Sequence, residues 1–345
     1  MKNLYLTQAD AAALVRSGVI AVFAGSEDAL RTLPSGNWIG GTSPYFMTET
    51  GGAINSEQLF CTVLNEAAEA RVVSLDVGSL PRLTAERFGN GFSYVLMPAF
   101  TDVHRAYAIE GPAYPGLCDQ PVMGWVTGVL LSELGTRTPK VFDGTTGQAH
   151  DDRALVMHIR LPTAVTAGLD IVNLFTQGTG PEILFPVDGF SAGACTVDGV
   201  AVNFASYLTD NAIDTKLPLV ADMAGAPVNV AVQAVDAASG SVSFYAPVMT
   251  GESYRFAQPI SDYAGAYATG AGAGTDERDE PGRMLACNCI LNFLYAELEG
   301  RTTGGFVGPV TFGEIAYVLL NQTLVRLNLI STQVPSPVPE LVEAV

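Results

Sequence analysis

The chain has 345 residues, enough for one large domain or two of ordinary size. With 48% hydrophobic and 15% charged residues it can bury a substantial core, which excludes a disordered or low-complexity chain. Lys plus Arg number 17 against 35 Asp plus Glu, and the formal charge of -18 repels phosphate backbones and anionic membrane surfaces, so nucleic acid and lipid are poor partners.

In chain order, Thr7 and Asp10 form a capping pair for a short helix that ends near Gly18. VIAVFAG then reads as a buried strand, and Ser26 caps a second short helix before Pro34. GNWIGGTSPYF passes from a strand into a Gly/Thr/Ser bend at Gly41, Thr42 and Ser43. Further strands are predicted at 71–77, 92–98 and 153–161, with a helix over Asp102–Ile109. The strand at 153–161 alternates: Leu155, Met157, Ile159 and Leu161 share one face, and Ala154, Val156, His158 and Arg160 the other, mixed one. Turn signals in 165–182 mark a change of lobe. ACTVDGVAV carries an Asp-Gly hairpin signal, and VNVAVQAVDAASGSVSFYAPVM reads as two strands joined by a Ser-Gly turn. Residues 263–282 are small, then acidic, and read as a mobile loop. A strand running into a helix follows at RMLACNCILNFLYAELEG, then a Gly-punctuated turn and more strand; the tail 331–345, with three prolines, reads as an extended arm. Strands outnumber long helices, which predicts an α/β protein of the α+β type, with mixed, largely antiparallel sheets flanked by helices in two lobes.

Five cysteines, at 61, 118, 195, 287 and 289, are odd in number and widely spread, which favours reduced thiols over a disulfide framework. Asp10 and Arg16 interrupt the first apolar stretch, so it makes a poor signal peptide, and no uncharged apolar run reaches the roughly 18 residues of a membrane helix. The expected setting is the cytoplasm.

The chemical motifs are sparse. Gly189-Phe-Ser191-Ala-Gly193 has the G-x-S-x-G form of a nucleophile elbow, but strand and turn follow it, and no histidine occurs after His158 to serve as base. The Gly/Ala run at 270–274 lacks the Lys-Ser/Thr of a phosphate loop and runs into DERDE. The three histidines, His104, His150 and His158, lack zinc-site spacing, and Cys287-x-Cys289 is not a C-x-x-C pair, so no metal is expected. A single axial histidine suffices for haem, which keeps His158 or His104 open for that role. Glu314, flanked by apolar sequence, is expected to be buried, either against a ligand amine or tied to internal N–H donors. The bend at Gly41, Thr42 and Ser43 admits close backbone approach by a ligand, or is simply a tight turn.

The order of these segments resembles the FIST family of bacterial sensory domains across roughly residues 15–330. NWIGGTSPYFMTETGG, VMGWVTG and PKVFDGTTGQAHDDRALVMHIRL look like the family's N-terminal half. VDGVAVNFASYL, SGSVSFYAPVMTGESYRFA, RMLACNCILNF and above all GGFVGPVTFGEIAYVLLNQTLV look like its C-terminal half. The resemblance implies lobes at 1–165 and 166–330 and a sensory, non-enzymatic role in binding an amino-acid-like metabolite. Gly41, Thr42, Ser43, Gly305, Phe306, Thr311 and Glu314 would then hold the ligand, with Cys287 on the family's Cys-bearing strand. No output domain is legible, so a signal would leave through a separate signalling protein or through self-association. Three alternatives stand beside it: a haem-based nitric oxide sensor using His158 or His104, an assembly protein that docks its Pro-rich tail on a neighbouring copy, and an enzyme with Cys287 or Cys195 as nucleophile.

Overall fold

Side-chain caps start the helices where the sequence places them. Thr7 accepts the Asp10 N–H (3.2 Å) to open α1, Gln8–Arg16, and Ser26 accepts that of Ala29 (3.1 Å) to open α2, Glu27–Leu30. Thr101 and Asn203 do the same for α3, Asp102–Glu110, and α4, Phe204–Asp210. Two further helices are α5, Tyr263–Gly272, and α6, Ile290–Tyr295. The structure is a computed structural model that describes residues 1–223, 225–272, 284–303 and 306–331. Gly305, the acidic part of the 263–282 stretch and the tail beyond Ser331 lie outside the described residues.

The described residues form an α/β protein with five sheets, as its composition predicts. Nearly every strand pair is antiparallel; the parallel pairs are three, and each is a strand–helix–strand crossover. Ala21–Gly25 and Trp38–Thr42 flank α2, Gly91–Pro98 and Val122–Thr127 flank α3, and Leu285–Cys289 and Gly308–Thr311 flank α6. The second strand of each unit ends on a buried threonine: Thr42, Thr127 and Thr311. This internal echo amounts to two or three residues per unit, too little for a sequence period.

The sheets interlock the two halves of the chain. Tyr45–Thr48 and Gly51–Ile54 lie in a sheet with Gly308–Thr311, Leu285–Cys289, Thr323–Ser331 and Val165–Asn173. Conversely, Glu314–Ala316 and Val318–Leu320 extend the sheet of Val122–Thr127, Gly91–Pro98, Ala154–Arg160 and Glu69–Leu75. Residues 1–165 and 166–330 are thus tied by hydrogen-bonded strands, and the boundary at 165 falls where one mixed sheet begins its edge. The expected lobe change at 165–182 is a nine-residue strand, Val165–Asn173, paired along its whole length with Thr323–Ser331. The expected loop at 263–272 is α5. It is held because Asp262 accepts the Gly265 N–H (2.9 Å) at its start, while Tyr267 and Ala271 pack into a core with Met284, Ile290 and Phe293. Both faces of Ala154–Arg160 are buried: Leu155, Met157 and Ile159 in one apolar cluster, Ala154 and Val156 in another. No helix among the described residues is long and apolar enough to cross a membrane.

Candidate functional site

The carboxyl ends of the three crossovers meet at one place. Gly128 N–H donates to Thr42 O (2.8 Å), and the Ser43 hydroxyl donates to Val310 O. Phe312 and Val126 exchange backbone bonds through Phe312 N–H to Val126 O (3.0 Å) and Val126 N–H to Gly313 O (2.8 Å). The bends singled out by sequence are therefore brought together, but against one another. A Cβ on Gly41 would stand 2.5 Å from the Trp125 ring and 2.6 Å from Thr127 Cγ2, so this glycine serves close packing and not ligand approach. Thr42 Oγ1 accepts the Lys140 N–H (2.9 Å). Phe306 lies in the apolar cluster of α6, and Cys287 is buried with its thiol 3.4 Å from Gly124 O.

Glu314 sits at the centre of this knot, fully buried. Oε2 accepts the Thr323 hydroxyl (2.8 Å) and N–H (3.3 Å), and Thr311 Oγ1 lies 3.3 Å from Oε1. Desolvation pushes its carboxyl up to about 8, despite those hydrogen bonds and one from Cys289. The acid is therefore neutral at pH 7, and its oxygens are taken by the fold. Of the two expectations for Glu314, the internal tie is the one realised. Gly41, Thr42, Ser43, Phe306, Thr311, Glu314 and Cys287 are corrected from ligand contacts to members of a packed junction, in which the side-chain polar atoms of Thr42, Ser43, Thr311, Glu314 and Cys287 meet partners within the fold; a 20 Å³ crevice lies at Thr42.

His158 is corrected as well. Its Nδ1 is 2.9 Å from Ser93 Oγ, which accepts from Arg87 Nε (3.1 Å), and the ring is 1% exposed on a strand paired on both sides. Burial, and then the charges of Arg87 and Arg71, hold it down to about 4. A porphyrin has no access to this ring. The thiol hypothesis fares no better: burial raises Cys195 to about 11 and raises Cys287 well above an ordinary thiol, which disfavours the nucleophilic thiolate in both. Ser191 lies on the strand Gly189–Ala192, which runs into Ala194–Val197 without a helix, so no nucleophile elbow is formed.

Open space lies one layer away, outside the same strand ends. A cleft of about 320 Å³ is lined by Ala99, Phe100 and Thr101 after Gly91–Pro98, and by Ile290 and Leu291 after Leu285–Cys289. Leu131 and Leu134 follow Val122–Thr127, Phe312 follows Gly308–Thr311, and Phe190 and Phe244 also line the cleft. In sheets with parallel strands, ligands bind in crevices outside the carboxyl ends, and this cleft occupies such a position for two of the three parallel pairs. Phe100 is 60% exposed with φ of 64°, a left-handed backbone that costs a phenylalanine energy. Its ring meets Phe312 edge-on at 6.2 Å. Of the eleven exposed large hydrophobic side chains among the described residues, Phe100, Leu131, Leu134 and Leu294 all line this cleft, a concentration that marks a binding surface.

His104 is the buried polar side chain of the lining. The ring packs edge-on to Phe190 at 5.3 Å, and its Nε2 has no hydrogen-bond partner. Burial alone holds it down to about 4, so it is neutral at pH 7. Nε2 is covered by protein atoms, which keeps an iron from reaching it in this rotamer; the haem alternative does not fit His104 either. Among the described residues no cluster of His, Cys, Asp and Glu is placed to hold a metal ion.

The chain belongs to the family of unknown function DUF6976. The family's model matches residues 6–330, and so takes in every strand that builds the junction and the cleft. No curated protein matches the chain.

Sequence reasoning named His104 only as a haem ligand and missed the rest of the cleft. Phe100 carried a signal: a large apolar residue directly before the helix cap Thr101, where a buried strand has just ended. The rest of the lining comes from separate strands, helices and turns far apart in the chain and gave none.

Proposed function

We propose that this chain is a non-enzymatic regulatory protein that binds a small, largely apolar molecule in the cleft between α3 and α6. The observation that carries the reading is the placement of this cleft, walled by exposed aromatic and aliphatic side chains, outside the carboxyl ends of two crossovers. The left-handed backbone at Phe100, which holds an exposed ring at the cleft, supports it. The segment order that resembles sensory domains fits a receptor role, with the cytoplasm as its setting and a separate protein, or a second copy, as the receiver of the signal. Ligand would act by biasing α3 and α6, both of which line the cleft.

A thermal-shift series with small apolar compounds tests the reading. A ligand at 100 times its Kd adds about 2.7 kcal/mol. The melting point should rise in the wild-type chain and stay fixed in Leu131→Trp, where an indole fills the cleft from its rim. Absence of any stabilisation, or equal stabilisation of the variant, contradicts the proposal.

A further inference from the structure

Arg105, on α3, is the one cationic side chain of the cleft lining; Gln233 and Tyr245 are its polar side chains away from that helix. α3 is a nine-residue helix whose first turn lines the cavity. The backbone N–H groups of Asp102 and Val103 precede the point at which intrahelical acceptors begin, and the aligned peptide dipoles make this end positive. Thr101 Oγ1 is already used, accepting from His104 N–H (3.3 Å) and donating to Pro98 O (2.7 Å). Arg105, one turn further along, is exposed and has no carboxylate within ion-pair distance among the described residues. His104 beside it is more than nine-tenths buried, with its Nε2 covered by protein atoms, so the ring adds wall and not a donor. Asp102 is the one acidic side chain of the lining; it is exposed and can turn to water, whereas the backbone N–H groups are fixed. Much of the remaining lining is apolar: Phe100, Phe190, Phe244, Phe312, Leu131 and Leu134.

Building on the cleft as a ligand site, we infer that its occupant is an amphipathic organic acid, with a carboxylate directed to the first turn of α3 and Arg105 and an alkyl or aromatic body on the phenylalanine wall. Arg105 holds the carboxylate through its planar fork, and the apolar body supplies the bulk of the affinity. A cationic or neutral ligand of the same shape leaves these donors unanswered.

The test uses the full chain and displacement of the uncharged dye Nile red. Decanoate and 1-naphthoate are compared with decanol and 1-naphthalenemethanol, so that each acid has an alcohol of matched body. The alkyl and aromatic pairs separate a lipid-derived acid from an aromatic one. At least one acid should displace dye at a tenfold lower concentration than its alcohol. Arg105→Gln should abolish that preference while leaving the affinity for the alcohol unchanged. Acid and alcohol competing equally, or a preference that survives Arg105→Gln, overturns the assignment of an acid yet leaves the cleft as a binding site. If the dye does not bind and no compound stabilises the chain, the cleft reading falls with it.

Discussion

Glu314 and His104 are both stripped of water, and in both burial pushes the titration toward the neutral form. Around Glu314 the oxygens meet Thr323, Thr311 and Cys289, partners the fold itself supplies. Around His104 a ring nitrogen is left without a partner at the wall of a 320 Å³ cleft. A displaced pKa therefore does not identify a functional group by itself; the accounting of partners and adjacent space separates a structural tie from a binding wall.

Truncation separates the two most sharply. Glu314→Ala removes a buried side chain and strands the Thr323 N–H and hydroxyl, so denaturant unfolding should show a loss of about 3–5 kcal/mol. Glu314→Gln keeps the shape and can direct its carbonyl to Thr323 and its amide to Thr311, as the neutral acid does; its loss should stay within about 1 kcal/mol. A severe defect in the glutamine variant would mean that the carboxylate is charged in the folded chain.

The pH dependence of stability sharpens the contrast, because the two groups act with opposite sign. Glu314 has its folded pKa raised from 4.5 to about 8, so the folded state binds one proton more than the unfolded state between those values and stability falls as pH rises through that window. His104 and His158 have theirs lowered from 6.5 to about 4; the unfolded state binds more protons there, and stability rises with pH from 4 to 6.5. Two rising contributions against one falling put the maximum near pH 6.5. Above it Glu314 acts alone, with a limiting slope of about 1.4 kcal/mol per pH unit until pH 8. Denaturation midpoints across pH 4–9 should show this fall in the wild-type chain and not in Glu314→Gln. A flat profile from 6.5 to 8 in the wild type contradicts the buried neutral acid.

On the cleft side, Phe100→Gly relieves a left-handed backbone at a residue with little packing to lose. It should stabilise the chain by up to about 1 kcal/mol while weakening apolar ligands, a stability gain coupled to a binding loss. The smallest effect is chemical: iodoacetamide should modify one thiol per native chain, Cys118, because the other four cysteines are buried. Rapid modification of Cys287 or Cys195 would revive the nucleophile reading.

Local chemistry was legible in the sequence where it acts within a few residues. The caps at Thr7 and Ser26, the Asp198-Gly199 turn between Ala194–Val197 and Val200–Asn203, and the alternation in Ala154–Arg160 all read correctly. Partners distant in the chain were not. Val165–Asn173 looked like a linker because its partner strand begins 150 residues later, at Thr323. α5 looked like a loop because glycine lowers its propensity, yet Tyr267 and Ala271 anchor it by burial, and the cap Asp262 was overlooked. For the same reason the packing of Thr42, Ser43, Thr311 and Glu314 into one junction was not legible: their partners, Lys140, Val310, Asn288 and Thr323, are set by the tertiary fold. Space between loops is a property of packing, and no residue type announces it.

With three histidines in the chain, their ring protons give a spectrum simple enough to assign by single substitutions. The most direct test follows the ring Cε1–H signals in a two-dimensional 1H–13C spectrum while an apolar ligand that raises the melting point is added to saturation. The His104 signal should move in proportion to occupancy, with those of His158, sealed against Ser93, and His150 unchanged. A stabilising ligand that leaves His104 still and shifts His158 instead would place the binding site elsewhere and contradict the account.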